Sequence, residues 1–301
     1  MTKPSIGISI VNYGSIDDTE RLLDDVGQFT GYLRVRVVVV DNSAYEMPTA
    51  AARLRHLCES TPYDCEYLPG RNLGYAGGSN AAFVSLARSD VDAVWVLNAD
   101  TRLVPSSAPA LADGLIASRG MARVFATNLR DPVSGEVRPA ISAIDLLTTR
   151  TRVGAPASHA KPAHWRTAFP EGYSFLITRL ALAKLQFLDD SLFLFYEEAE
   201  LMTRASRYGI SVEALPGVVV EHNRGVATGS GSALAGRSHV TLYHASRSCV
   251  LFYRRHHRWL LLNCVVARAL QAAHLALVAR PAPALAVMRG ILSGLSHDRS
   301  S

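Results

Sequence analysis

The sequence predicts an α/β protein with a mostly parallel twisted sheet flanked by helices, followed by a C-terminal helical extension. Three observations point there. Short β-branched runs alternate with helical stretches at the pitch of β–α–β units through the first hundred residues. Four of those runs end in polar clusters. The charge is also divided: the 301 residues carry a net +5, but residues 223–301 hold ten arginines, no lysine and one acid, Asp298, for a net +9, leaving −4 over residues 1–222.

Composition excludes several classes. With 49% apolar and 19% charged residues the chain can bury a sizeable core, so disordered, collagen-like and disulfide-scaffold classes are ruled out. Cys58, Cys65, Cys249 and Cys264 lack any C-x-x-C spacing, which argues against a zinc ribbon or redox pair; they read as reduced thiols of a cytosolic protein. The N-terminus has no signal-peptide pattern. No stretch reads as a clean apolar span of roughly 20 residues; the nearest, Trp259–Ala279, contains Asn263, Arg268, Gln271 and His274.

In order, Ile6–Val11 reads as a strand and Asp17–Phe29 as a helix with Leu22, Leu23 and Val26 on one face. Val35–Val40 is a continuous β-branched run, as expected of a strand covered on both sides. Thr49–Cys58 is helical, Cys65–Leu68 a short strand, Ser79–Arg88 a helix and Ala93–Leu97 a buried strand. Pro105, Pro132, Pro139 and Pro156 make residues 101–161 irregular, with a mobile loop expected over 148–163. Glu171–Thr178 is a strand, Leu180–Leu185 a helix, and a further helix runs from Glu197 to near Gly209. Ile210–Val220 reads as strand, turn at Pro216-Gly217, and strand. Residues 225–236 form a Gly/Ser/Ala-rich loop, and the chain is helical from His239. The organisation is thus a β–α alternating half over 1–102, a less regular half over 103–238, and a basic helical tail over 239–301.

In parallel sheets ligands bind beyond the carboxyl ends of the strands. Those ends here are Asn12-Tyr13, Asp41-Asn42-Ser43, the segment Pro69–Asn80, and Asn98-Ala99-Asp100-Thr101, which should meet in one crevice. Gly74, Gly77 and Gly78 precede a helix and can aim backbone N–H groups at a phosphate or ribose. They match neither the P-loop nor the Gly-x-Gly-x-x-Gly pattern. Asp41 and Asp100 offer oxygen ligands suited to Mg²⁺ or Mn²⁺ bridging a diphosphate. Asn98 is neutral, so Asp100 is the expected ligand.

Ile8-Ser9-Ile10-Val11-Asn12-Tyr13, Val38-Val39-Val40-Asp41-Asn42-Ser43, Asn72-x-Gly74-x-x-Gly77-Gly78-x-Asn80 and Leu97-Asn98-Ala99-Asp100-Thr101 together resemble the family-2 glycosyltransferases, most closely the bacterial rhamnosyltransferase-like branch. The segment DDSLFLFYEEAELMTR, Asp189 to Arg204, and the strand Val218–His222 continue the resemblance, which covers residues 5–228. The resemblance implies a GT-A fold, with a nucleotide-binding half over 1–102 and an acceptor-binding half over 103–238, and transfer, with inversion, of a sugar from a nucleoside diphosphate. It implies that Asp41 holds the base or ribose, and that Asn12, Asn72, Gly77, Asn80, Asn98 and Asp100 line the nucleotide-sugar site. Asp100 and His222 would bind the Mg²⁺ or Mn²⁺, and Glu198 would be the general base. The family usually has Asp at the position of Glu198, so Glu197 and Glu200 stay open as alternatives. Gly172 would allow close approach of donor or acceptor, and Arg224 would add charge at the diphosphate. Trp165 and Tyr173 are expected chiefly to pack in the interior.

The donor expected is a dTDP- or UDP-sugar, rhamnose-like, and the acceptor a glycan or lipid-linked intermediate. The rivals are a transferase decorating a small natural product, a catalytically inactive sugar-nucleotide-binding protein, and a nucleotidyltransferase. In the tail, Asn263, Arg268, Gln271 and His274 share one arc of a helix preceded by Arg254-Arg255-His256-His257-Arg258-Trp259. That pattern suits either an anionic membrane surface or packing on the domain or in a homodimer. Nucleic acid is not expected, because no reader motif is present. The expected location is the cytoplasm, peripheral at the inner face of the plasma membrane.

Overall fold

The computed structural model describes residues 3–154, 165–222, 238–278 and 280–297. Strands β1 (Ser5–Asn12), β2 (Arg34–Asp41), β3 (Asp64–Pro69) and β4 (Ala93–Asn98) alternate with helices α1 (Ile16–Gly27), α2 (Pro48–Glu59) and α3 (Gly74–Leu86). The second half holds β5 (Thr101–Leu103), α4 (Ala108–Ala117), β6 (Val124–Arg130), β7 (Val137–Pro139), β8 (Ile141–Asp145), β9 (Thr151–Val153), β10 (Arg166–Pro170), β11 (Ser174–Thr178), α5 (Arg179–Leu185), α6 (Glu197–Ser206) and β12 (Val212–His222). Helices α7 (His239–His256), α8 (Leu261–Leu277) and α9 (Pro281–Ser296) follow.

The central sheet has the order β3-β2-β1-β4-β11-β6-β12-β5, with β7 on β6; β10-β8-β9 is a second, antiparallel sheet. Its longer ladders, β1–β2, β1–β4, β2–β3 and β6–β12, are parallel, while β11 runs antiparallel between β4 and β6. The expected fold class is therefore borne out. Ile6, Ile8, Ile10, Val37, Val39 and Trp95 face a core completed by α1 and α2. Val38, Val40, Val94 and Val96 face a second core under α3. Burial on both faces is why these strands read as unbroken apolar runs, each fully buried Val or Ile contributing about 1.5–3 kcal/mol.

Several local expectations are corrected. Helix α3 begins at Gly74, not Ser79, so the glycines lie inside the helix rather than in a loop before it. The reason is contact: a β-carbon at Gly77 would stand 2.6 Å from Leu73 Cβ, and one at Gly78 2.8 Å from Val11 Cγ1. The expected strand, turn and strand over 210–220 is one strand, β12 (Val212–His222), and the expected turn is a register irregularity between Ala214 and Val219, with Gly217 at φ +73°. Residues 101–153 are ordered as short strands and α4. Most of the expected 148–163 loop, Arg224 and the 225–236 loop lie outside the described residues.

The cysteines are not far apart in space. Cys249 and Cys264 are free thiols with sulfurs 3.2 Å apart between α7 and α8. The tail is also not detached: Cys249, Phe252, Cys264, Leu275 and Val287 form a third core with Ile144, Leu146 and Ala199. One helical stretch among the described residues, Arg258–Leu277, is long and apolar enough to cross a membrane, with mean hydropathy 1.6. Its two charges, Arg258 at the start and Arg268 in the middle, do not disqualify it.

Candidate active site

The parallel strands end side by side, with Asn12 opposite Asp41 and Val11 opposite Asn98. Asn12 is fully buried: Nδ2 donates to Asp41 Oδ1 at 3.2 Å, and Oδ1 accepts from Ser15 N and Thr19 Oγ1. Asp41 is 1% exposed and also accepts from Ser43 N at 3.0 Å, Ser43 Oγ at 2.7 Å and Tyr67 Oη at 3.0 Å. Burial and the Asp41 charge hold the Tyr67 phenol above its ordinary range. Asn12 and Asp41 thus form the buried floor of the crevice, their side chains engaged with the protein.

Asn72 lies at the exposed rim and accepts from Gly74 N at 3.0 Å, fixing the entry to α3. Gly77 is packed beneath it. Asn80 faces elsewhere than expected: its amide is spent on both backbone groups of Leu188, donating to O at 2.9 Å and accepting from N at 2.8 Å. That exchange anchors the segment leading to α6. Trp165 is 53% exposed rather than packed inside.

The second group of residues meets around Gly172 and Tyr173, in the turn before β11. Asp100 follows β4 and His222 ends β12; the short β5 pairs with β12 and brings them together, with His222 Nε2 3.1 Å from Asp100 Oδ1. The His222 ring stacks on Tyr173, centroids 4.4 Å apart, and Nδ1 has no partner among the described residues. Tyr173 is fixed in turn: its carbonyl accepts from Asn98 N at 3.0 Å and Thr101 Oγ1 at 3.0 Å, and its hydroxyl donates to Glu171 Oε2 at 3.0 Å. Arg138 clamps Glu171 through two bonds of 2.8 and 2.9 Å.

On the other side of this turn stand Glu197 and Glu198, 1% and 8% exposed, in the first turn of α6 after Tyr196 at φ +73°. Glu198 Oε1 lies directly over Gly172, whose carbonyl accepts from Tyr75 Oη at 2.6 Å. Burial pushes Glu198 up to about 7. Burial, reinforced by the Glu198 charge, holds Glu197 well above the carboxylate range, and Glu197 Oε1 has no partner among the described residues. Glu200 differs: burial opposes its charge, but His256 at 3.1 Å and Arg204 at 2.8 and 2.9 Å outweigh that and hold its pKa low. Glu200 is therefore an ion-pair anchor of α6, and Glu198 is the carboxyl set for proton transfer near neutrality.

The path Glu198–Gly172–Tyr173–His222–Asp100 joins residues the sequence scatters over more than a hundred positions. Sequence reasoning missed Tyr75, which fixes Gly172, and the Arg138–Glu171 clamp behind Tyr173; neither carries a motif signal. Asp100 and His222 could hold a divalent ion. In an octahedral shell with bonds of about 2.1 Å, neighbouring donors stand about 3 Å apart, which their 3.1 Å spacing fits. Among the described residues no cluster of three His, Cys, Asp or Glu exists, so the remaining positions would fall to water and ligand oxygens, as is usual for Mg²⁺ with phosphates.

No family model matches the chain. Over 231 residues it is 26% identical to the low-salt glycan biosynthesis hexosyltransferase Agl10 of Haloferax volcanii, covering 73% of this chain and 68% of the relative. In three dimensions it is similar to the mannosyltransferase PcManGT of Pyrobaculum calidifontis, solved with GDP-Man and Mn²⁺, at TM-score 0.58 and 15% identity, over 98% of this chain and 88% of the other. It is also similar to GalNAc-T7, solved with UDP, GalNAc and Mn²⁺, at TM-score 0.56 and 15% identity, over 86% of this chain and 49% of the other. The fold is that of the GT-A glycosyltransferases.

Proposed function

We propose that the protein is a metal-dependent inverting glycosyltransferase of family 2, moving a hexose from a nucleoside diphosphate sugar to an acceptor hydroxyl. The observation that carries this reading is the convergence of Glu198 with Asp100 and His222 around Gly172-Tyr173. The hexosyltransferase relative and the fold support it. The favoured donor is a dTDP- or UDP-sugar, rhamnose-like, and the favoured acceptor a glycan or lipid-linked intermediate.

In this mechanism Glu198 takes the acceptor hydroxyl proton as that oxygen attacks the anomeric carbon. The bond from that carbon to the diphosphate oxygen breaks, and the diphosphate leaves with the electron pair. Gly172 leaves room for the carboxylate, and the burial that raises its pKa makes it a competent base near neutral pH. Asp100 and His222 would hold Mn²⁺ or Mg²⁺, which when bound would neutralise charge on the leaving diphosphate. Asn12 and Asp41 keep the floor of the crevice rigid, and Asn72 and Gly77 shape its rim.

The test is calorimetry with dTDP-, UDP- and GDP-sugars, with and without Mn²⁺, followed by donor turnover. The reading expects metal-enhanced binding of at least one donor and turnover lost in Glu198→Gln. Binding without turnover, unaffected by that change, would favour a catalytically inactive sugar-nucleotide-binding protein. Release of pyrophosphate from a nucleoside triphosphate would favour a nucleotidyltransferase.

A further inference from the structure

Helices α8 and α9 are built the wrong way round for a water-exposed surface. A helix that covers a core turns its apolar stripe inward and its charges outward. In α8 the charged residue points in: Arg268 donates to Gln271 Oε1 at 2.9 Å, Tyr196 Oη at 3.1 Å and Cys249 Sγ at 3.5 Å. Leu262, Val266, Leu270 and Leu277 point out, with Leu262 71% and Leu277 86% exposed. Their spacing of four, four and seven residues is one stripe on a helical period. The polar arc of Asn263, Arg268, Gln271 and His274 is therefore split, with Arg268 and Gln271 turned toward the protein and Asn263 and His274 exposed.

Helix α9 repeats the arrangement. Leu285, Met288, Leu292 and Leu295 recur at three, four and three residues and are exposed. Its other face is pressed on α7, where Gly290 and Gly294 allow close approach; a β-carbon at Gly294 would stand 2.8 Å from Val250 Cβ. Trp259, 97% exposed, stands at the start of α8 beside the exposed Arg258. So many exposed large apolar side chains on two adjacent helices mark an interaction surface rather than scattered exceptions.

We propose that the α8–α9 pair is a docking surface for an anionic phospholipid bilayer. The helices lie in the plane of the leaflet, their apolar stripes at the acyl boundary and Arg258, Arg280 and Arg289 among the headgroups. Charge selects this occupant. The segment from 223 to 297 contains no Asp or Glu, so a second copy docked by the same patch would bring arginines against arginines with no acid of this segment to receive them, whereas an anionic leaflet pairs with Arg258, Arg280 and Arg289. An exposed Trp at the edge of an apolar face suits the boundary between headgroup and acyl chain. The helices lie on the membrane rather than cross it, because α9 is held on α7 and Arg268 ties α8 to Tyr196. The surface is argued from packing and charge alone and stands apart from the transfer reading. If both hold, the transfer takes place on a protein docked at the leaflet that carries a lipid-linked acceptor.

The experiment is flotation of the full chain with vesicles of phosphatidylcholine containing phosphatidylglycerol, and of phosphatidylcholine alone. The protein is expected to float with the anionic vesicles at about 0.1 M salt, and roughly tenfold less at about 0.5 M salt or on the neutral vesicles. Leu262→Glu/Leu270→Glu/Leu277→Glu should lose flotation roughly tenfold or more while keeping its circular dichroism and nucleotide binding. If that variant fails to fold, Trp259→Ala serves: anionic vesicles shift the tryptophan emission of the parent to the blue, and the shift disappears in the variant. No flotation, or flotation and blue shift unchanged in the variants, overturns the proposal. A dimer in sedimentation that the leucine variant breaks, with no vesicle binding, overturns it in favour of a second copy.

Discussion

Glu198 occupies the space that a side chain at position 172 would need. A β-carbon on Gly172 would overlap Glu198 Oε1, and Gly172 is itself held by the Tyr75 hydroxyl at 2.6 Å. The proposed base is thus seated by the absence of a side chain in the turn before β11, one residue before the ring that stacks on His222.

Gly172→Ala therefore displaces the carboxylate without touching the nucleotide crevice. A misplacement on the order of 1 Å costs about 10²-fold in rate. The expected result is a kcat lowered by about that factor with donor affinity unchanged, read by steady-state kinetics beside calorimetry.

The pH dependence follows from the raised Glu198 carboxyl. It must be ionised to act, so kcat should rise with pH, level above about 7, and fall about tenfold per unit well below that. Glu198→Gln should lower kcat about 10²–10⁴-fold and abolish that limb. Stability runs the opposite way. A carboxyl whose folded pKa is raised contributes stability that is full below its unfolded value near 4.5 and is lost as pH rises through about 7. Glu198→Gln should accordingly melt higher than the parent near pH 8, with the difference gone near pH 4.

Asp100→Ala and His222→Ala should each remove the Mn²⁺-dependent part of nucleoside diphosphate affinity, a loss of roughly tenfold or more, as chelation does to the parent. The metal-independent binding should survive, because the Asn12–Asp41 floor is untouched. Titration of dTDP or UDP with and without Mn²⁺ reads both components.

Asp41→Ala strips four hydrogen bonds from a fully buried carboxylate and leaves Asn12, Ser43 and Tyr67 without that acceptor. The expected cost is about 3 kcal/mol of stability, seen as a lower urea midpoint at unchanged slope. An altered nucleotide affinity with unchanged stability would instead mean that Asp41 acts on the ligand directly.

The sheet and its crevice were legible because strands covered on both faces carry unbroken apolar runs, and their polar ends stand out against them. Asp100 and His222 were legible by resemblance to a family, and their meeting follows from β5 pairing with β12. The start of α3 was not, since Gly74, Gly77 and Gly78 have loop propensities and only their contacts with Phe193, Leu73 and Val11 explain them inside a helix. Strands of three residues, β5, β7 and β9, are too short to show a period of two. For α8 the period was legible and the orientation was not. Periodicity says that polar residues share an arc, but which way the arc turns depends on Tyr196, far off in sequence, offering Arg268 its hydroxyl.

That Tyr196–Arg268 bond also orders events during synthesis. Residues 1–222 contain the strand ends of the nucleotide crevice, while the left-handed Tyr196 that opens α6 takes its support from Phe252 and Arg268. A ribosome emits those partners after residues 1–222. A nascent chain can accordingly assemble the central sheet before the helix bearing Glu198 is braced.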